Sequence, residues 1–312
     1  MSGGAVRPFG ARLVDAMDDL GPLCVGIDPH PGLLAAWGLA DGPAGLREFS
    51  LRVVDAVAGR VAALKPQSAF FERHGSAGVA VLEEVLAAAL GSGTQVILDA
   101  KRGDIGSTMA GYADAYLRDG SPLAADALTV SPYLGAGSLA PAVDAALATG
   151  RGLFVLCLTS NPEGAAVQHA LGATPDGPRS VAAAVAAYAA GLNAAELDRT
   201  GLGPVDAVVS GSGQSGRVDG AALGSVGLVV GATVGDAVQR LGIDLAGVRG
   251  PLLAPGVGAQ GGGAAELRAV FGAARGAVLA SSSRGVLAAG PGVEDLRSAA
   301  AAATAEAVAA LR

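Results

Sequence analysis

Short apolar runs alternate along this chain with longer stretches rich in Ala and Leu. Most of the short runs are continuously apolar, which is typical of strands covered on both faces, as in a parallel sheet. The pattern predicts eight strands, at Leu23–Asp28, Ala62–Pro66, Gln95–Lys101, Ala127–Ser131, Leu153–Thr159, Gly227–Thr233, Leu252–Gly256 and Ala277–Ser281.

The longer stretches carry apolar residues at helical spacing. They predict helices at Gly45–Ala58, Gly78–Leu90, Ser107–Leu117, Gly137–Leu147, Val181–Leu197, Val234–Leu241, Ala264–Val270 and Val293–Leu311. A strand followed by a helix, repeated eight times, predicts an α/β fold that closes into a single (β/α)8 TIM barrel. An open, doubly wound sheet is the alternative. No segment has the composition of a linker, so we expect one domain spanning residues 1–312.

Two segments between the predicted elements are less regular, Ser160–Arg179 and Thr200–Ser225. The second contains the Gly- and Ser-rich stretch Ser210–Gly216, which indicates a surface loop. We expect this loop to be a tolerated insertion.

Composition limits the classes of function. The chain is 51% hydrophobic, its formal net charge is −7 and its pI is about 5.0. No basic stripe is present, so we expect no nucleic-acid partner. The sequence shows no signal-peptide pattern and no apolar stretch of about 20 residues, so we expect a cytoplasmic protein with no membrane partner. Cys24 and Cys157 lie in apolar runs and are expected to be buried, reduced thiols.

The hexapeptide Asp99–Asp104 concentrates charge at the end of the third predicted strand. Four of its six residues are charged, in a chain that is 16% charged. Since alternate residues of a strand share a face, Asp99 and Lys101 should point the same way, with Asp104 close by on the following loop. Two carboxylates meeting one ammonium group predict a catalytic site in which Lys101 stays protonated. A surface loop with weak salt bridges is the alternative.

Two loops near the end of the chain have the features of a phosphate site. The Gly-rich stretch Pro255–Gly263 follows the seventh predicted strand, and Ser281–Gly285, which contains Arg284, follows the eighth. In (β/α)8 barrels, phosphates bind at these loops, and Arg can hold them bidentately. The GxGxxG in the first loop does not predict a dinucleotide site, because it lies outside the first βαβ unit and lacks the following acid. A surface Arg is the alternative for Arg284.

Asp28 and Lys65 are weaker candidates, at the ends of the first and second predicted strands. At the barrel rim they could bind sugar hydroxyls and a second carboxylate, or they could be ordinary strand-end polar residues. His30, His74 and His169 show no metal-ligand spacing and no Cys/His signature is present, so we expect no metal.

The charged cluster also resembles a family signature. Asp99–Thr108 reads D-A-K-R-G-D-I-G-S-T and resembles the D-x-K-x-x-D-I-x-x-T motif of orotidine 5′-monophosphate decarboxylases. Thr159–Gly164 is similar to the form in the longer, bacterial (type 2) branch of that family. The resemblance covers nearly the whole chain, although Thr200–Ser225 is longer than the family pattern. Four further segments resemble the family: Val25–Asp28, Leu64–Pro66, Pro255–Gly262 and Ser283–Gly285.

The resemblance implies a cofactor-free, homodimeric barrel that converts orotidine 5′-monophosphate to UMP and CO2, the last step of de novo UMP synthesis. By position, Lys101 would stabilise and protonate the carbanion at pyrimidine C6, with Asp99 beside the departing carboxylate. Asp104 and Thr108 would enter from the partner subunit, so that Lys65, Asp99, Lys101 and Asp104 form one alternating network.

The resemblance also implies the contacts to the rest of the substrate. Asp28 would hold ribose hydroxyls, and Ser160 would hold the edge of the pyrimidine. Gln260 and Arg284 would hold the phosphate, with closure of the loop after Pro255.

Three alternatives to this function stay open. A sugar-phosphate lyase of the same superfamily, such as 3-keto-gulonate 6-phosphate decarboxylase, resembles the chain at the third strand but needs a metal and a carboxylate where Lys65 stands. A catalytically silent, nucleotide-binding barrel is disfavoured by the complete set of charged residues. A Schiff-base aldolase is disfavoured because flanking carboxylates would keep Lys101 protonated.

Overall fold

The computed structural model describes residues 7–173, 177–202, 222–257 and 262–312. Eight parallel strands close into a barrel, and their order around the barrel is their order along the chain. The predicted (β/α)8 barrel is confirmed, and the open sheet is wrong. The strands are β1 Leu23–Ile27, β2 Ala63–Pro66, β3 Gln95–Arg102, β4 Ala127–Val130, β5 Gly152–Leu158, β6 Val226–Val230, β7 Leu252–Pro255 and β8 Val278–Ser282.

Helices surround the barrel and connect successive strands. They are α1 Phe9–Leu20, α2 Pro31–Ala36, α3 Pro43–Val57, α4 Ser68–Glu72, α5 Gly75–Ala89, α6 Gly106–Leu117, α7 Ala140–Thr149, α8 Ala165–Gln168, α9 Val181–Thr200, α10 Ala237–Arg240, α11 Ala264–Phe271, α12 Arg284–Leu287 and α13 Val293–Leu311. Shorter 3₁₀ segments lie at Ala136–Leu139, Pro162–Gly164 and Gly272–Ala277.

The structure contains elements that the sequence pattern does not predict. α1 precedes the first strand, so it has no place in an alternation that begins with β1. The irregular segment Ser160–Arg179 contains α8 and part of an antiparallel ribbon that pairs Leu171–Gly172 with Arg179–Ser180. Residues 203–221, where we expect a surface loop, lie outside the described residues.

Apolar side chains fill the barrel interior at its N-terminal end. Ala63, Ile97 and Phe154, from three different strands, form one buried cluster with Phe9 and Leu13 of α1. The rings of Phe9 and Phe154 pack edge to face with their centroids 6.0 Å apart. A second, larger cluster packs the outer faces of the strands against the helices. α1 therefore closes one mouth of the barrel and leaves the opposite mouth for a site.

The inner face of the strands changes from apolar to polar toward the C-terminal end. In β2, Ala63 belongs to the inner apolar cluster, and Lys65 is the next residue on the same face. In β3, Ile97 and Asp99 have the same relationship. A bridge between Gln67 and Asp99 continues the pairing of these two strands. The strand register thus brings charged side chains together directly above the apolar interior.

Candidate active site

A cavity of about 830 Å3 opens at the C-terminal ends of the strands. This is where a (β/α)8 barrel carries its active site. Asp104 and Thr108 are not among the residues that line the cavity, and Gln260 lies outside the described residues. The other predicted site residues do line it: Asp28, Lys65, Asp99, Lys101, Ser160, Pro255 and Arg284.

Asp99 lies between Lys65 and Lys101 in this cavity, and these three residues form what we call the charged array. Its Oδ2 accepts hydrogen bonds from Lys65 Nζ at 2.9 Å and from Gln67 Nε2 at 3.0 Å. Its Oδ1 accepts from Lys101 Nζ at 2.5 Å and from Thr129 Oγ1 at 2.9 Å. A carboxylate offers about four acceptor positions. Protein donors therefore occupy all the positions that Asp99 has.

Burial and charge act in opposite directions on the pKa values of Asp99 and Lys65. Burial alone would raise the pKa of Asp99, but Lys65 and Lys101 outweigh it and hold that pKa well below the ordinary carboxyl value. Burial alone would lower the pKa of Lys65, but the carboxylates of Asp99 and Asp28 outweigh it and raise that pKa. Both buried groups are therefore charged at neutral pH.

Lys101 presents its ammonium group to the cavity from the end of β3. Its side chain is 44% exposed, against 7% for Lys65, so Lys101 is the lysine of the array that a bound molecule can reach. Its backbone has a φ of 47°, in the left-handed region that residues with a side chain rarely adopt. The structure thus brings Asp99 and Lys101 together as expected, but through an interrupted strand rather than through regular alternation.

Asp104 does not contact Lys101 within one chain, which differs from the expectation based on strand alternation. Its Oδ1 instead accepts a hydrogen bond from the next backbone N–H at 2.8 Å. Thr108, on the first turn of α6, is exposed. The physical reason is the course of the backbone after β3: the N–H of Ser131 donates to the carbonyl of Arg102 at 2.7 Å, and the chain then turns outward into α6.

Asp28 and Ser160 line the cavity from the loops after β1 and β5. The Oδ1 atom of Asp28 is buried without a hydrogen-bond partner in the described part of the chain, so a ligand hydroxyl could satisfy it. The loop of Ser160 is fastened by Gln168, which accepts from the N–H of Thr159 at 2.9 Å and donates to its hydroxyl at 2.7 Å. Ser160 is therefore held in place by a side chain of α8.

Arg284 and Pro255 line the same cavity at the ends of β8 and β7. Arg284 is exposed and forms no ion pair with a carboxylate of the described residues, so its guanidinium group is available to an anion. After Pro255, Gly256 has a φ of 94°, and its carbonyl accepts from the N–H of Gly262 at 3.1 Å. This bond joins the described residues on the two sides of segment 258–261, in which Gln260 lies.

Comparison with known proteins identifies the family. The family model described as "Orotidine 5'-phosphate decarboxylase / HUMPS family" matches residues 21–299. The chain belongs to this family. It is 57% identical over 295 residues to the orotidine 5'-phosphate decarboxylase of Streptomyces coelicolor, which covers 95% of each chain. The family and the enzyme class predicted from the signature are confirmed.

Solved structures of the decarboxylase family have the same fold. A crystal structure from Streptomyces avermitilis, provisionally named orotidine 5'-phosphate decarboxylase, is 55% identical with a TM-score of 0.85, over 100% of this chain and 98% of that one. The orotidine 5'-monophosphate (OMP) decarboxylase of Leishmania donovani is 30% identical with a TM-score of 0.68, over 97% and 98%.

Sequence reasoning missed two neutral residues that donate hydrogen bonds to Asp99, Gln67 and Thr129. Gln67 stands two residues after Lys65, so strand alternation places both on one face. Thr129 is the polar residue of the otherwise apolar strand β4. Either could have been singled out as a polar residue at an inner position, but which partner each would meet depends on the register of the neighbouring strands.

The described residues offer neither a set of metal ligands nor a reactive thiol. Among the described residues, no group of three or more His, Cys, Asp or Glu side chains is arranged to hold a metal ion. Asp99, whose acceptor positions are all occupied, has none left for a cation. Cys24 and Cys157 are free and buried, and burial raises the pKa of both thiols to about 12. Neither is therefore a nucleophile at neutral pH.

No helix of the described residues combines the length and the apolar character that crossing a membrane requires.

Proposed function

We propose that this protein decarboxylates orotidine 5′-monophosphate to UMP and CO2, the last step of UMP biosynthesis, without a metal or an organic cofactor. One observation carries the proposal: Lys65, Asp99 and Lys101 form a fixed charged array in the cavity of a family barrel. We further propose a cytoplasmic location, which suits an enzyme of nucleotide biosynthesis. We also propose that the protein has no nucleic-acid partner, which its net charge of −7 supports.

The array supplies what this reaction needs. When the bond between C6 and the carboxylate carbon breaks, the electron pair stays on C6, where the pyrimidine ring does not delocalise it. The ammonium group of Lys101, held by Asp99, is a fixed positive charge that stabilises this negative charge as it develops. Lys101 then transfers a proton to C6, which gives UMP, and the neutral amine regains a proton from water.

Asp99 also acts on the leaving group. A substrate carboxylate placed beside its negative charge is repelled, whereas neutral CO2 is not, so the repulsion is relieved as the bond breaks. The four protein donors keep Asp99 from rotating away or accepting a proton. Contacts elsewhere on the nucleotide must then provide the binding energy that holds the carboxylate in this position.

The rest of the cavity provides such contacts. The exposed guanidinium group of Arg284 suits the phosphate, and we propose Gln260, which lies outside the described residues, as a second phosphate contact. The unpartnered oxygen of Asp28 suits a ribose hydroxyl. Ser160, in its fastened loop, suits the polar edge of the pyrimidine.

We infer that the active sites are shared between two subunits of a homodimer. Asp104 and Thr108, which the family signature includes, do not line the cavity of their own chain. Large apolar side chains are exposed beside them: Ile105 is 60% exposed, and Tyr133, in the neighbouring loop after β4, is 77% exposed. An apolar patch of this kind suits a subunit interface that would carry Asp104 to the partner's array.

The metal-dependent sugar-phosphate lyase is the nearest competing function, and the geometry of Asp99 speaks against it. In such an enzyme the acid of the third strand would ligate a cation. Here Lys65 and Lys101 contact both oxygens of Asp99, and their positive charges oppose a cation at that point.

The test follows the ultraviolet absorbance of orotidine 5′-monophosphate with purified protein and EDTA. We expect turnover, and a loss of at least about 10⁴-fold in Lys101→Ala, which removes both the charge and the proton. UMP should bind this variant nearly as well as it binds the wild type, because the phosphate and ribose contacts remain. Arg47→Ala, which removes an exposed cation outside the cavity, is the control and should retain activity.

Two results would contradict the proposal. Turnover by Lys101→Ala near the wild-type rate would remove its role as proton donor. Activity that EDTA abolishes and magnesium restores would favour the metal-dependent lyase instead.

A further inference from the structure

The hydroxyl group of Thr129 forms hydrogen bonds both to the side chain of Asp99 and to the backbone of Lys101, the two catalytic candidates of β3. It donates a hydrogen bond to Oδ1 of Asp99 at 2.9 Å. It accepts one from the backbone N–H of Ala100 at 3.0 Å and another from the backbone N–H of Lys101 at 2.9 Å. Thr129 is only 1% exposed, so water does not compete for these bonds.

The direction of each bond at Thr129 is fixed by chemistry. A threonine hydroxyl has one proton to donate and two lone pairs to accept with. The backbone groups of Ala100 and Lys101 can only donate, and ionised Asp99 can only accept. The hydroxyl must therefore point its proton at Asp99 and its two lone pairs at the backbone, which uses its whole hydrogen-bonding capacity in one arrangement.

Thr129 also compensates for the irregular backbone of β3. The pairing of β3 with β4 shifts between the Leu98–Leu128 pair and the Arg102–Val130 pair, so β3 has extra residues there. Extra residues in a bulged strand lose regular ladder partners for their backbone N–H groups. The N–H groups of Ala100 and Lys101 lie in this stretch, and both find their acceptor in Thr129. The left-handed backbone of Lys101 is thereby held from inside the barrel.

We propose that Thr129 is a positioning residue for the decarboxylation, which fixes the carboxylate of Asp99 and the backbone of Lys101 in the geometry that the reaction needs. This inference rests on the proposed function. One hydroxyl sets both groups, so its loss would move the proton donor and the repelling carboxylate relative to each other. Substrate affinity, which depends on the phosphate and ribose contacts elsewhere in the cavity, would change little.

The experiment compares Thr129→Val with Thr129→Ser in steady-state kinetics and UMP binding. Valine has the shape of threonine without the hydroxyl, and a displacement of reacting groups near 1 Å costs about 100-fold, so we expect kcat to fall by about that factor. KM and the UMP dissociation constant should stay within about threefold of the wild type, because uniform binding is unchanged. Serine keeps the hydroxyl and should restore kcat to within about tenfold of the wild type.

Thr94→Val is the matched control. The hydroxyl of Thr94 is also buried, donates to the carbonyl of Val61 at 2.7 Å and accepts from the N–H of Gly59 at 2.8 Å, just before β3 begins at the opposite end of the barrel. Its loss should lower the melting temperature as Thr129→Val does, while kcat stays within about twofold of the wild type. A structural role alone would therefore not lower kcat in Thr129→Val while leaving KM, and the kcat of Thr94→Val, nearly unchanged.

The inference would be overturned by a kcat within about threefold of the wild type in Thr129→Val, or by equal losses of kcat in Thr129→Val and Thr94→Val. If Thr129→Val does not fold, Thr129→Cys takes its place, since a thiol is a weak donor and acceptor. A kcat of Thr129→Cys equal to that of Thr129→Ser would then overturn the inference. Failure of the wild type to consume the substrate would instead refute the proposed function.

Discussion

At the scale of the residue, Asp99 shows how neighbours fix a protonation state. Because Lys65 and Lys101 lower its pKa, the unfolded chain binds a proton more readily than the folded one as the pH falls. The contribution of Asp99 to the free energy of unfolding is therefore complete above about pH 5 and declines below about pH 4. Lys65, whose pKa is raised, contributes fully below about pH 10 and loses its contribution above that.

Asp99→Asn should destabilise the fold in a pH-dependent way. The substitution removes the carboxylate that the buried ammonium group of Lys65 contacts, and breaking a buried pair in this way costs about 3–5 kcal/mol. We expect that loss in the free energy of unfolding from urea titrations at pH 7. The difference between wild type and variant should shrink from pH 6 to pH 3, because the wild type loses its advantage as the carboxyl of the unfolded chain takes up a proton.

Glu84→Gln is the control for this prediction. Its partner Arg47 lies at 2.6 Å, but both side chains are about half exposed. Exposed pairs contribute little, so we expect a change below about 1 kcal/mol. A difference between wild type and Asp99→Asn that stays constant from pH 6 to pH 3 would contradict the ion-pair account.

At the scale of the element, the turn between β3 and α6 depends on close backbone contact. A Cβ atom at Gly103 would lie 2.3 Å from the carbonyl oxygen of Ser131, which belongs to backbone and cannot rotate away. Gly103→Ala should therefore displace the turn that carries Asp104. We expect a loss of about 1–3 kcal/mol in the free energy of unfolding, typical of overpacking, together with a lower kcat.

Gly111→Ala, in the helix that follows this turn, is the matched control. A Cβ atom at Gly111 meets no atom within 4 Å, and the residue lies inside α6. Alanine is favoured over glycine there by about 0.5–1 kcal/mol, so this variant should be slightly more stable than the wild type. Equal effects of the two substitutions would show that contact with Ser131 does not determine the turn.

The elements differ in how far the sequence predicts them. The eight barrel strands are predictable because strands buried on both faces must be continuously apolar. The observed strand ends lie within one residue of the predicted ones, except that β6 ends three residues earlier than predicted, at Val230. α1 does have a local signal that the strand–helix alternation leaves out, because its buried residues Phe9, Leu13 and Met17 stand at helical spacing. Its contact with the barrel interior could not be predicted, since that contact exists only in the closed barrel. Alternation predicts that Asp99 and Lys101 meet, but not the left-handed backbone at Lys101, which needs an acceptor from β4.

The site residues follow the same division. Charged side chains at strand ends, such as Lys65 and Arg284, can be found from the sequence because the barrel places all those ends at one mouth. Thr129 and Gln67 could not be assigned a role in advance, because their partner Asp99 lies on a neighbouring strand and the strand register selects it. Long-range register is a property of packing and is not encoded in any local pattern.

At the scale of the whole molecule, the cavity of one chain is incomplete with respect to the family signature. The single domain of residues 1–312 stays a prediction. Within the described residues, one barrel is observed, and α1 closes its N-terminal end. In the proposed dimer, Asp104 and Thr108 would reach the site of the second chain, since they sit beside exposed Ile105 and do not line the cavity of their own chain. The proposed assembly therefore has two sites, each built from both chains.

Mixing two inactive variants should restore activity if the sites are shared. In a mixed dimer of Lys101→Ala and Asp104→Ala, one site has both defects and the other has none. Random reassociation makes half of the dimers mixed, so we expect about a quarter of the wild-type activity per site. Lys101→Ala mixed with Arg284→Ala should show no gain in activity at low substrate concentration. Lys101 and Arg284 of one site come from the same chain, so each site of this mixed dimer carries one of the two defects. Shared sites would be contradicted if native mass spectrometry detects mixed dimers of Lys101→Ala and Asp104→Ala but no activity returns. The dimer itself would be contradicted if the protein sediments as a monomer.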